Sequence, residues 1–185
     1  MQHEMKKLKM GWFCPTNGDL TAFGDPSKAI PRTMDHFMKV ASNAENAGFE
    51  YILIPVGPGC WEAWTTASFI SANLKKIKPL VAMKPGFVHP VMQAKMISSF
   101  CQFTGDRLYL NLIAGLSENE ALAEGQLASK EARDRKMEEE VVLLKKLLTE
   151  TAPPGTVGFN WMESQTSFSQ GKVAMWIDGI GFSAP

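Results

Sequence analysis

Cys60 stands just beyond an apolar run that ends at Val56, within the stretch GFEYILIPVGPGCWEAW from Gly48 to Trp64. The run from Tyr51 to Val56 lacks the polar alternation of a half-solvated strand. It lies between Gly48 and a Pro/Gly cluster, so both of its faces are expected to be covered, as in a parallel sheet beneath helices. In such sheets the loops leaving the carboxyl ends of the strands carry the chemistry, which makes Val56, Gly57 and Cys60 the first candidates for a site. On residue type alone Cys60 reads as a buried small apolar residue, since nothing basic lies beside it in sequence.

The elements that must position these residues alternate four times. A strand at about Lys9–Cys14 is followed by a polar loop and a helix from about Thr33 to Ala47, with Phe37, Val40, Ala41 and Ala44 on one face and Gly48 as its stop. The Tyr51 strand leads to a helix at about Glu62–Asn73. A strand at Lys78–Met83 leads to a helix opened by Pro90 and closed by Gly105, with Ala94, Ile97 and Cys101 as its apolar stripe. The fourth unit has a strand at Leu108–Ile113, then a loop or short helix to Lys130. A helix to about Leu148 follows, with Met137, Val141, Leu144 and Leu148 at helical spacing and Glu138–Glu140 expected on its wet face. Four βα units imply a parallel α/β sheet.

Composition excludes several functions. Nineteen basic residues cancel nineteen acidic ones and no Lys/Arg cluster stands out, so the electrostatic footprint of a nucleic-acid or membrane-surface binder is missing. A small neutral or anionic ligand fits better. The three cysteines (Cys14, Cys60, Cys101) and three histidines (His3, His36, His89) are scattered, which suggests neither a disulfide framework nor a metal site. The expectation is a cytoplasmic chain with reduced thiols and no membrane span.

Four motifs, GWFCPTNGD, GFEYILIPVGPGCWEAW, LVAMKPGFVHP and RLYLNLIAG, occur in this order, each at or just after an expected strand. Through them residues 1–148 resemble the bacterial luciferase-like flavin monooxygenases, above all the branch containing alkanesulfonate monooxygenase. The resemblance implies a (β/α)8 barrel in which reduced FMN, supplied by a separate flavin reductase, activates O2 to oxygenate a small organic substrate of alkanesulfonate type. It further implies that Val56 and Gly57 lie against the flavin and that Asn111 hydrogen-bonds near the isoalloxazine ring. Glu120 and Arg133 would help hold the cofactor, and Cys60 would border flavin and substrate as a candidate catalytic residue. A guanidinium near a helix start suits a phosphate. Asn17, the other candidate catalytic residue, stands where the alkanesulfonate enzymes have His. Asp134 follows Arg133 where related chains have Tyr, and its carboxylate would repel a flavin phosphate.

A closed barrel takes eight units and about 250 residues. The expectation is therefore a truncated barrel of about four units over 1–148, a linker over 149–160, and an appendage over 161–185. That last segment, with its PheXXGlyLysXAlaMet pattern, resembles a fragment of the solute-binding proteins of ABC importers. A half-barrel exposes strand edges and an inner wall, so a homo-oligomer or pairing with an intact homologue is expected, with impaired activity in the isolated chain. The alternative is a fragment that binds flavin or a partner without turnover; a solute-binding module is a third reading.

Overall fold

The computed structural model describes residues 8–18, 25–115, 117–126 and 129–150. The appendage assigned to 161–185 lies outside them. The chain divides into two compact units: residues up to Pro85 together with Arg107–Met137, and Gly86–Asp106 together with residues from Glu138 onward.

The first unit is built on four parallel strands in the order β1 (Gly11–Phe13), β2 (Tyr51–Ile54), β3 (Lys78–Met83) and β4 (Tyr109–Leu112). Among the described residues β1 and β4 each pair on one side only. The register places Ile52 beside Pro79 and Ile54 beside Val81. Side chains alternate along a strand, so these residues share one face, and Ile52, Ile54 and Val81 are all fully buried there. Helix α2 (Ala63–Asn73) lies against β2 and β3. The opposite face carries Tyr51, Leu53, Leu80, Tyr109 and Asn111, all half-buried, and Phe13 on it is 51% exposed. Among the described residues the sheet is thus covered on one side and half-open on the other, apart from the buried Ala82, where a continuous apolar run had suggested cover on both.

Helix α1 (Met34–Asn46) starts at Thr33, whose Oγ1 accepts from the His36 N–H at 3.2 Å, and buries Phe37, Ala41 and Ala44. Glu62 caps α2 by accepting from the N–H groups of Trp64 and Thr65. The amino end of the sheet is held by two sets of side-chain contacts. The Glu45 carboxylate accepts from the N–H groups of Lys75, Lys76 and Ile77, and the Arg107 guanidinium donates to the carbonyls of Ser71, Leu74 and Ile77. A short helix, α4 (Glu118–Ala123), follows β4, and α5 (Lys130–Lys145) begins in this unit.

The second unit contains α3 (Pro90–Thr104), which has proline in its first turn and ends at Gly105 in a left-handed conformation, φ 66°. Its buried line is Gln93, Ile97 and Phe100; Ala94 and Cys101, expected in the stripe, are half-buried. The later part of α5 also departs from expectation. Glu140 is only 3% exposed, its Oε2 accepting from the Gly86 N–H at 3.0 Å, while Val141 is 45% exposed. Four consecutive apolar residues, Val141–Leu144, give hydropathy no phase to choose. The carboxylate's bond to a backbone amide fixes the rotation instead, and Leu144 is the one buried.

Candidate functional site

The carboxyl ends of the four strands gather most of the expected site residues. Beyond β1 the Cys14 N–H donates to the Leu53 carbonyl at 2.9 Å, so the thiol of Cys14 sits inside the unit, fully buried; burial pushes its pKa far up. Thr16 follows and is also fully buried, and its Oγ1 has no hydrogen-bond partner among the described residues. The Trp61 N–H donates to the Thr16 carbonyl at 3.3 Å, which ties the loop after β2 to the loop after β1. Two more contacts fix that second loop. Arg32 donates to the Gly59 carbonyl at 2.8 Å, and the Cys60 N–H closes a tight turn on the Gly57 carbonyl at 3.0 Å. Trp61 packs edge-on against Phe37 of α1, with ring centroids 5.4 Å apart.

Gly57 faces two functional groups. A β-carbon built on it would lie 3.7 Å from Glu120 Oε1 and 3.9 Å from Cys60 Sγ. The missing side chain therefore leaves a gap flanked by a carboxylate and a thiol, on a backbone that needs no left-handed conformation.

The Glu120 carboxylate at this position also meets a lysine. Ser117 caps α4 by accepting from the Glu120 N–H at 3.2 Å, which places Glu120 in the first turn. Glu120 Oε1 then meets Lys84 Nζ at 2.6 Å, and Glu124 Oε2, one helical turn on, meets the same nitrogen at 2.5 Å. The Lys84 side chain is 2% exposed. An ammonium held out of water costs several kcal/mol unless it is paired and hydrogen-bonded, and the two carboxylates meet that demand.

The remaining candidates are distributed as follows. Val56 is half-buried at the end of β2. Asn111 pairs in register with Ala82 and lies on the half-open face of the sheet with Leu53 and Leu80. Arg133, 5% exposed, donates its Nε–H to the Ala114 carbonyl at 2.9 Å, and so turns toward the loop leaving β4. Gly115 in that loop has φ +90°, and a β-carbon there would lie 3.6 Å from Arg133 Nε. Asn17 is exposed in the loop after β1. Asp134 pairs with Lys130 at 2.7 Å. The structure thus joins Gly57, Cys60 and Glu120 closely, puts Asn111 and Arg133 on and beyond β4, and leaves Asn17 at the surface.

Sequence reasoning missed Lys84, Glu124 and Thr16. The signal that nominated Val56 and Gly57 was available for Lys84 as well, because it directly follows the third strand in LVAMKPG. Glu124 stands four residues after Glu120, on the same face of a helix. Among the described residues no group of three His, Cys, Asp or Glu is placed to hold a metal ion.

Residues 8–163 match the family described as luciferase-like monooxygenase. The chain belongs to this family. Its structure is similar to that of the EDTA monooxygenase from Chelativorans sp. BNC1, at 15% identity and a TM-score of 0.65, over 86% of this chain and 39% of that one. It is also similar to a riboflavin lyase solved with modified FMN and riboflavin, at 16% identity and a TM-score of 0.64, over 80% of this chain and 39% of that one. A third is the oxygenating constituent of 3,6-diketocamphane monooxygenase from Pseudomonas putida, in complex with FMN, at 17% identity and a TM-score of 0.52, over 76% and 39%. At such identities the likeness is one of fold. This luciferase-like chain spans 39% of the length of each of the three structures. Among its described residues no helix is long and apolar enough to cross a membrane.

Proposed function

We propose that this luciferase-like chain holds reduced FMN at the carboxyl end of its sheet, as part of a flavin-dependent monooxygenase that acts with O2 on a small organic substrate. The observation that carries the reading is the gap at Gly57. Gly57 presents backbone bare of a side chain between the carboxylate of Glu120 and the thiol of Cys60, which suits the approach of a flat ring. The orphaned Thr16 hydroxyl in the neighbouring loop adds a donor in need of a partner. Two similar structures are themselves described with FMN or a modified FMN, which supports a flavin as the occupant.

Reduced flavin, when bound, supplies the electrons that activate O2. The residues of the chain bind, orient and shield it. Val56 and Gly57 offer backbone to the ring, and Asn111 offers an amide that can both donate and accept. Glu120 and Arg133, on the segments after β4, would help hold the cofactor. Cys60 borders the space where substrate would enter, with Asn17 at the rim. Alkanesulfonates are the first substrates to assay and a separate flavin reductase is the electron source. Shielding from water is the weak point, since Tyr51, Leu53, Leu80 and Tyr109 line a half-open face. A second copy or an intact homologue would supply the missing wall.

The test is titration of FMN against the purified chain by fluorescence, followed by a reductase-coupled assay with alkanesulfonate that compares sulfite released with hydrogen peroxide formed. Saturable binding with turnover that mostly leaks to peroxide is expected. The absence of saturable binding defeats the reading. Phe13, 51% exposed on the half-open face, favours a second reading, in which the chain binds flavin or an intact relative without turnover. Co-purification with such a relative, with no sulfite released by the pair, would select it.

A further inference from the structure

Lys84 is the first residue after β3, a strand paired on both sides, and the Ile113 N–H donates to the Met83 carbonyl immediately before it. Its ammonium is therefore carried on one of the most firmly held backbones in the sheet. Glu120 lies in the first turn of α4 and Glu124 is the residue that caps its carboxyl end, in a six-residue helix far too short to keep its place by propensity alone. The oxygen that Lys84 holds is Glu120 Oε1, and this same atom lies beside the gap at Gly57. Glu124 takes a second ammonium hydrogen, so the lysine is held from the first turn of α4 and from its carboxyl-terminal cap.

From this geometry we propose that Lys84 is a positioning residue, which acts through Glu120 to set one wall of the Gly57–Cys60 gap. The role as a flavin site rests on the function proposed above. The positioning itself does not, and can be read from the Cys60 thiol without any cofactor. With Lys84 in place, the Glu120 carboxylate stands on the other side of Gly57 from the Cys60 thiol and narrows the approach to it. Without the ammonium, Glu120 and Glu124 repel each other across one helical turn, and Glu120 is expected to be held less firmly beside Gly57.

The experiment alkylates the full chain with N-ethylmaleimide and follows each cysteine by mass spectrometry, in the wild type, K84M, K84R, E120A and the K84M/E120A double variant. Cys14, fully buried, reports global unfolding. K84M and E120A are each expected to raise the Cys60 rate by about fivefold with Cys14 still protected, and the double variant to add nothing, the mark of two residues acting on one path. K84R, which keeps the cation, is expected to stay within about twofold of wild type. FMN affinity measured on the same samples should fall in K84M and recover in K84R. If the wild type fails to bind FMN, the flavin reading falls and the thiol rates still decide the role of Lys84.

An unchanged or lowered Cys60 rate in K84M overturns the proposal, as does additivity in the double variant. Labelling of Cys14 in both K84M and K84R overturns it too, because Lys84 would then serve only the fold. Should K84M alone expose Cys14, K84R arbitrates: protected Cys60 upholds the proposal and unprotected Cys60 ends it.

Discussion

Arg133 donates its Nε–H to the carbonyl of Ala114 at 2.9 Å, from a side chain only 5% exposed. The guanidinium of α5 thereby braces the loop that leaves β4, whatever else it touches. A buried hydrogen bond from a charged donor contributes about 1.5–3 kcal/mol, and its loss leaves a carbonyl to be satisfied. R133M is therefore expected to lower stability by roughly 2 kcal/mol in urea unfolding. R133K should recover little of this, because an ammonium on a flexible stem does not reproduce the Nε–H of a planar fork. Full stability in R133M would show that the brace is dispensable.

The Glu45 carboxylate accepts from three successive N–H groups, those of Lys75, Lys76 and Ile77, at 2.7–3.1 Å for its closer oxygen. Burial pushes its pKa up, but the three amides and the charge of Arg107 outweigh burial and hold it below the ordinary glutamate value. A carboxylate whose folded pKa is depressed contributes stability above its unfolded pKa, and the contribution disappears as pH falls through the folded one. Melting temperature is thus expected to drop between about pH 5 and pH 3. E45Q should be less stable at pH 7 by about 1–2 kcal/mol and should show a shallower acid limb. Parallel acid limbs in E45Q and wild type would exclude Glu45 as the titrating group.

How much of this was legible beforehand follows from what each residue answers to. The strand at Lys78–Met83 and the helix from Pro90 to Gly105 were marked by hydropathy, proline and glycine, which act locally, and both appear within a residue of expectation. The side-by-side placement of β2, β3 and β4 followed from four alternating units. Gln93, Glu140 and Lys84 were not legible as buried residues, since polar side chains count against burial until their partners are known. Those partners come from distant segments: Gly86 holds Glu140, and Glu120 with Glu124 holds Lys84. The strand's end nominated Gly57 and Cys60, and family likeness nominated Glu120, but neither gave a sign that Lys84 joins Glu120 to Glu124.

The three thiols are expected to react in a fixed order. Cys14 is fully buried and burial raises its pKa strongly; Cys101 is half-buried, and its pKa is raised by burial and then by the Asp106 carboxylate. Cys60 sits in a half-exposed loop at the carboxyl end of the sheet. At pH 8 Cys60 should be alkylated first, Cys101 more slowly, and Cys14 at least about tenfold more slowly than Cys60, since the thiolate is the reacting form. Mass spectrometry of partially labelled chain reads the order directly. Early labelling of Cys14 would mean that the loop after β1 opens in solution.

Gly57 separates fold from function most cleanly. Its backbone is outside the left-handed region, and an added β-carbon would meet Glu120 and Cys60 at ordinary van der Waals distances of 3.7 and 3.9 Å. G57A should therefore fold as well as wild type, and even gain up to about 1 kcal/mol by restricting the unfolded chain. The methyl group nonetheless occupies the gap that a flat ring would need, so FMN affinity should fall by about tenfold, which corresponds to 1.4 kcal/mol of binding energy. G57L, with a side chain that must displace the carboxylate or the thiol, should abolish binding. Thermal melting and FMN fluorescence titration on the same samples separate the two effects. Undiminished FMN binding by G57L would place the cofactor elsewhere and remove the observation on which the proposed function rests.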